Sequence, residues 1–397
     1  MNSPLQQRFN HKRSGKIIPW CLLTLGLTSL EAPSANAHVY LLGDEDGNSG
    51  SPVDLYVGGT LKLGYEDATG HASDDSVARR GYADGSDFHA GINYHFAPGW
   101  QAIGYYEMEG SYFRALRVKG HYHHNRDGYD DTFTHQLYAG IASDRYGILT
   151  FGQQLNPFYT AVGAKTDIWI MDMTGQGPGQ GIDPHGTYDA SYRANSLLSY
   201  QKQWGATNIY VSLLLPGEHF ETPDFNRLRY SRKTGIAAAV DTQLTPDLSW
   251  ATGFSVNRAG ITNADEEGQK KFTQHMIGSS FLWTPEQWTI AGMLGHYRNF
   301  IPHEEGDASK PVFHNSTLGA EAYVGRNFPI EGAMVKNVEP YIAAASMRSS
   351  SYKRNDQFVG LKFELPHKVQ LNVEHRFAHN TGTNESDVTH AQLVYEI

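Results

Sequence analysis

The chain has 397 residues, with 41 Gly, 23 Tyr, 18 Phe and 7 Trp, a net charge of −10 and a mean hydropathy of −0.48. Aromatics at 12% argue against a disordered polar chain, which could not bury enough apolar surface to offset its ordering entropy. No stretch of about 18 apolar residues occurs outside the N-terminal region, which excludes a bundle of transmembrane helices.

In chain order, the first element is a leader. Arg8, Lys12, Arg13 and Lys16 form a basic start, an apolar core runs from Ile17 to Leu30, and Ala35-Asn36-Ala37 is a small-x-small cleavage site. The single Cys, Cys21, lies inside this segment and lacks the small neighbours of a lipidated cysteine. The expected mature chain, 38–397, is cysteine-free, so an exported fold must be held without disulfides. Losing residues 1–37 removes four bases and one acid, Glu31, so the charge becomes still more negative. That balance argues against nucleic acid as a partner, because phosphate binding requires a basic face. It fits a water-filled surface that favours cations.

From Val53 the dominant period is two. Val53, Leu55 and Val57 alternate with Asp54, Tyr56 and Gly58; Phe88, Ala90 and Ile92 alternate with Asp87, His89 and Gly91. Such alternation gives each strand one apolar and one polar face. Sixteen segments follow this pattern: 53–65, 86–97, 100–110, 132–143, 146–154, 188–202, 205–215, 228–242, 246–257, 271–284, 287–298, 313–326, 337–348, 356–365, 368–377 and 386–397. Tight turns at 97–99, 143–145, 202–204, 243–245 and 284–286 alternate with long polar stretches at 66–85, 111–131, 155–187, 216–227, 258–270, 299–312, 349–355 and 378–385, and only 327–336 breaks the short series. Short turns alternating with long loops along antiparallel strands predict an all-β, 16-stranded transmembrane barrel. A soluble sandwich or propeller also alternates, but has no reason to segregate its loop lengths by end. Aromatics recur where strands meet turns, at Tyr94, Phe96, Trp100, Tyr200, Trp204, Trp283, Trp288, Phe328 and Phe363, as interfacial girdles require.

The run Ser143-Asp144-Arg145-Tyr146-Gly147 through Phe151-Gly152-Gln153-Gln154-Leu155-Asn156-Pro157 resembles the fifth-strand region of Gram-negative general porins. Val53-Asp54-Leu55-Tyr56 is similar to their first strand, Arg193-Ala194-Asn195-Ser196 to the sixth, and Leu393-Val394-Tyr395-Glu396-Ile397 to the last. Ile397 replaces the family's usual terminal Phe, and the acidic Pro-Glu-Phe-Gly-Gly run of enterobacterial members is absent. The resemblance implies a homotrimer in the outer membrane, in contact with lipopolysaccharide, passing small hydrophilic solutes and ions. It implies no catalysis and no cofactor.

A 16-stranded barrel has a lumen too wide for side chains to fill. The loop at 155–187, with its Gly175-Gln176-Gly177-Pro178-Gly179-Gln180-Gly181 run, is long enough to fold inward and constrict it. By resemblance, Asp167 and Asp172 supply the acids of that constriction. Arg193 retains one rung of the family's basic wall, His89 and His135 stand where Arg is usual, Gln153 replaces another Arg, and Lys62 faces inward by alternation. A wall with His for Arg is weakly basic at neutral pH, so the pore is expected to lean toward cations, less so below about pH 6.5.

Elsewhere, His121-Tyr122-His123-His124 with Asp127, Asp130 and Asp131 has metal-ligand chemistry but no fixed tetrahedral spacing, and reads as a solvated outer loop. The acidic tips Asp265-Glu266-Glu267 and Glu304-Glu305 also read as solvated. No nucleophile elbow, zinc-protease motif or phosphate loop is present. Two other readings stay open: a channel preferring sugars, if Tyr56 and Tyr105 line a continuous track, and a barrel acting as a lipolytic enzyme or adhesin.

Overall fold

The computed structural model describes residues 38–397 except 45–49, 70–79, 83–84, 111–131, 184, 222–227, 263–268, 304–311, 332–333, 351–352 and 382–386. The leader, the His121–His124 loop with its three aspartates, and both acidic tips lie outside these residues.

Sixteen antiparallel strands close into one barrel. They are β1 (Val53–Thr69), β2 (Ser86–Ala97), β3 (Trp100–Gly110), β4 (Thr132–Ser143), β5 (Gly147–Leu155), β6 (Arg193–Trp204), β7 (Thr207–Leu214) and β8 (Arg229–Thr245). The second half comprises β9 (Leu248–Thr262), β10 (Gln269–Trp283), β11 (Trp288–Arg298), β12 (Thr317–Arg326), β13 (Asn337–Ser349), β14 (Lys353–Leu365), β15 (Val369–Ala378) and β16 (Asp387–Glu396). Each strand pairs with its neighbours in sequence. The ring closes where β16 meets β1, from Thr60 opposite Glu396 to Thr69 opposite Asp387. A closed sheet leaves no edge, so every backbone group in the hydrocarbon layer finds a partner.

Strand β1 is divided between two neighbours on its seam side. Its outer half pairs with β16, and its inner half pairs with the short strand Val39–Leu42, from Val39 opposite Val57 to Leu42 opposite Leu55 with a register shift between Tyr40 and Leu42. Ile397 N–H donates to Gly59 O at 2.9 Å, so Val39–Leu42 and β16 follow one another along the same edge.

The period of two appears directly in burial. Along β12, Thr317, Gly319, Glu321, Tyr323 and Gly325 are buried, while Leu318, Ala322 and Arg326 are exposed. The exposed face carries large apolar side chains, with Leu294 70%, Ile342 62% and Leu318 61% exposed, which suits contact with lipid. Trp100, Tyr146, Trp204, Trp283, Trp288 and Phe328 gather at the short-turn end, and the Arg326 guanidinium lies 5.1 Å from the Trp288 ring.

Three local expectations shift. Strand β6 begins at Arg193, because the preceding residues belong to the inward loop. The turns expected at 202–204 and 243–245 fall two or three residues later, at Gly205-Ala206 and Pro246-Asp247. The stretch 349–355 is no long loop: β13 runs to Ser349 and β14 starts at Lys353. The polar composition that suggested a loop (Arg348, Ser349, Lys353) instead belongs to strand ends outside the apolar band.

Candidate functional site

The segment 156–192 folds into the barrel and supplies most of its interior packing. Asn156 starts it: its Oδ1 accepts from Phe158 N at 2.8 Å, capping the five-residue helix α1 (Pro157–Ala161). Its Nδ2 donates to Ala190 O at 2.7 Å, tying the two ends of the loop together. Phe158, Ala161 and Val162 then pack on Tyr210, Ala239, Ala251, Met276, Met293 and Tyr297, which point inward from β7 to β11. Each large apolar side chain so buried contributes about 1.5–3 kcal/mol. Further on, Ile168 and Trp169 pack against Tyr323, Tyr341 and Phe358 of β12–β14.

Polar contacts fix the same loop to the same wall. Lys165 Nζ donates to Asp241 at 2.9 Å and Ser249 at 2.8 Å. Glu321 on β12 accepts from Thr166 Oγ1 at 2.6 Å, Gly175 N at 2.8 Å and Gln176 Nε2 at 3.2 Å. Glu374 on β15 accepts from Met171 N at 3.0 Å and Tyr341 OH at 2.7 Å, and Lys362 Nζ donates to Ile168 O at 2.6 Å. Arg232 on β8 holds the far end, donating to the carbonyls of Thr187 (3.1 Å), Tyr188 (3.0 Å), Leu215 (3.1 Å) and Asn195 (2.5 Å). The Gly-rich run permits this seating: a Cβ on Gly175 would stand 2.3 Å from Ala320 O, and one on Gly177 2.4 Å from the Tyr297 ring.

Most of the loop's anchors lie along β7–β15, and it also meets β4, where the His185 ring lies 4.0 Å from Phe133, and β6, where Ala190 packs with Ala194 and Leu197. On the loop side, Asp167 accepts from Tyr159 OH and shares a hydrogen bond with Asp172. Burial, then the neighbouring Asp167, push the Asp172 carboxyl well above the ordinary carboxylate range.

On the wall side the predicted bases are present, each with acids beside it. His135 places Nδ1 2.9 Å from Glu107 and Nε2 against Glu109. Glu107 also accepts from Tyr105 OH and Gln136 Nε2, both at 2.9 Å. Lys62, His135 and Arg193 all lie within electrostatic range of Glu109, and Lys62 faces Asp87 as well. Arg193 lies flat over Tyr192, 3.8 Å from the ring centroid.

Two expected wall residues differ from expectation. His89 faces inward but its partners are not acids: its Nε2 lies 3.1 Å from His38 Nδ1 and its ring stacks on Tyr105 at 5.7 Å. Gln153 has the parity of the exposed Leu149 and Phe151, and its amide donates to the carbonyls of Thr134 (2.6 Å) and His135 (3.1 Å). It does not line the lumen. The motif gave the right strand, but alternation from Leu149 sets its side. The acids Asp87, Glu107 and Glu109 are the wall residues that the sequence reading missed. Alternation alone places them inward beside His89 and His135, and that signal was available.

A family model of Gram-negative porins matches residues 24–321. The chain belongs to the Gram-negative porin family. No curated protein matches the chain. Among solved structures, this porin is similar to Salmonella typhi OmpF in complex with daunomycin, with a TM-score of 0.65 at 12% identity over 91% of this chain and 100% of that one. The outer-membrane channel DcaP of Acinetobacter baumannii gives 0.59 at 10%, covering 90% and 99%. The anion-selective porin from Comamonas acidovorans gives 0.55 at 15%, covering 87% and 100%. At these identities the likeness establishes the barrel. Family and fold together place this porin in the outer membrane, as a channel.

Proposed function

We propose that this porin, processed to residues 38–397 and assembled as a homotrimer, passes small hydrophilic solutes passively and prefers cations. The observation that carries the preference is the wall: every base there faces an acid, and the Asp167 and Asp172 carboxyls stand on the loop. A slot with excess fixed acid concentrates cations and repels anions. The pH response expected from free histidines is reassigned, because His135 sits between two glutamates and His89 contacts His38. The Asp167–Asp172 pair is the better candidate for it.

The outer face supports the proposed surroundings. At the long-loop end of β9–β14, Arg258, Lys271, Arg298, Arg348 and Lys353 point outward with no acid on that face among the described residues, a pattern suited to phosphorylated lipid. Strands β16 and β1–β5 present no base outward among the described residues, which suits contact with a second copy of the chain. The trimer form of Vibrio cholerae OmpT is among the similar structures, with a TM-score of 0.52.

The sugar-track reading gains less support. Rings do run from Tyr40 through Tyr56, His38 and His89 to Tyr105 and Tyr138 at centroid spacings of 4.5–5.8 Å. Tyr56, Tyr105 and Tyr138 are only 5–9% exposed, so the rings cover one another instead of offering faces to a solute. No residue set favours the lipolytic or adhesin readings. The deciding measurement is single-channel conductance with reversal potentials in a salt gradient. Steps in threes with cation preference support the proposal, and anion preference overturns it.

A further inference from the structure

We propose that the processed N-terminus, with His38 and His89, forms a binding site for divalent copper inside the lumen. The inference rests on the reading that the leader is removed after Ala37. His38 is then the first residue and offers two nitrogens to one ion, its α-amino group and Nδ1, which close a six-membered chelate ring.

The geometry supplies the third nitrogen. His38 Nδ1 lies 3.1 Å from His89 Nε2, with the two rings perpendicular at 90° and their centroids 5.1 Å apart. Two nitrogens at metal-bond lengths of about 2.0–2.1 Å and roughly at right angles are separated by about 3 Å. The site is built into the sheet. Gly58 is paired with His89 across β1 and β2, and a Cβ there would stand 2.5 Å from His89 Nε2 and 3.5 Å from His38 Nδ1. Only a residue without a side chain lets both nitrogens converge at this point. Val39–Leu42, fixed by its register on β1, holds His38 in place.

Aromatic rings flank the pair: the Tyr56 ring lies 4.5 Å from His38 and the Tyr105 ring 5.7 Å from His89. Three nitrogen donors in a tetragonal arrangement select Cu(II), which also heads the affinity series for such ligands. Among the described residues, no group of three or more His, Cys, Asp or Glu converges in a metal-binding arrangement. The third ligand here is an amine that exists only after processing.

The test uses porin purified from outer membranes and stripped with chelator. Its N-terminus is read by sequencing and intact mass, and copper sulfate is titrated with electron paramagnetic resonance as readout. Two comparison proteins are refolded and checked by circular dichroism, one with Met ahead of His38 and one carrying His89→Gln. The expected result is an N-terminus at His38, one Cu(II) with a three-nitrogen signature, and binding at least ~10-fold weaker in both comparison proteins. An N-terminus elsewhere overturns the leader reading and the site with it. An N-terminus at His38 with unchanged affinity in the Met-extended protein leaves the leader reading standing and overturns the site.

Discussion

Arg193 and Asp167, the base and the acid expected on opposite sides of the slot, are joined through two tyrosines. Arg193 stacks on the Tyr192 ring, Tyr192 OH donates to Tyr159 OH at 3.2 Å, and Tyr159 OH donates to Asp167. Both tyrosines are buried, so the chain forms a packed hinge at the foot of the loop. Tyr159→Phe removes the central hydroxyl and is expected to cost about 1–3 kcal/mol, since it leaves a buried donor without its acceptor. Chemical denaturation in detergent measures this. An unchanged midpoint would show that the relay contributes nothing to holding the loop.

Asp167 and Asp172 share a hydrogen bond, so their contributions to selectivity should not add. Asp167→Asn or Asp172→Asn alone leaves one carboxylate ionised, and each is expected to shift the reversal potential only slightly. The double substitution removes the charge and should shift it by clearly more than the sum. Additive shifts would show that the two titrate independently.

The same pair sets a pH dependence of stability. Burial raises the Asp172 carboxyl above its unfolded value of about 3.9. In that case the folded state binds the extra proton, so the stabilisation is complete below the unfolded value and is lost as pH rises through the folded one. Asp172→Asn should therefore gain stability relative to the parent between pH 4 and pH 8. Parallel unfolding curves at the two pH values test this, and an advantage that shrinks with rising pH contradicts it.

Arg232 reaches four backbone carbonyls from one planar group, a geometry that lysine cannot copy. Arg232→Lys is expected to leave at least two of them unpaired, at roughly 1–3 kcal/mol each. The predicted readout is a lower thermal midpoint together with noisier open-channel current as the loop's far end loosens. A quiet channel of parental stability would place the restraint elsewhere.

Gly360 tests how a wall position reaches the loop. It lies opposite Tyr341, and a Cβ there would meet the ring at 2.2 Å. Tyr341 OH in turn holds Glu374, which accepts from Met171 N. Gly360→Ala should displace the ring and weaken this anchor, altering conductance although no lumen charge changes. The single-channel step size decides it, and an unchanged step would mean the ring has room to move.

Much of this was legible in the sequence because a lipid-facing barrel imposes a period of two that few other folds sustain. Strands such as 86–97, 100–110 and 132–143 have the expected bounds because apolar residues stop where the bilayer stops. The short strand Val39–Leu42 was not legible: four residues give too few alternations to separate from a loop. For the site, the acids of the loop were expected as residue types at family positions. What escaped was pairing. Whether His135 acts as a base or as the centre of a Glu107–His135–Glu109 group depends on cross-strand register, which a bulge between Glu107 and Met108 alters locally. Gln153 was misassigned because its position was taken from a motif and not from the alternation of its own strand.

The division of β1 between the two chain ends also bears on the order of assembly. Its pairing with β16 links residues more than three hundred positions apart, the most distant contact the sheet contains. Local hairpins can form early, whereas this seam must wait until nearly the whole chain has been delivered. Until β16 arrives, the outer half of β1 presents unpaired amides and carbonyls to hydrocarbon, at several kcal/mol for each group. Closure is therefore a late event that the local pairing of Val39–Leu42 can precede, and a chain lacking β16 would stall as an open, edge-bearing sheet.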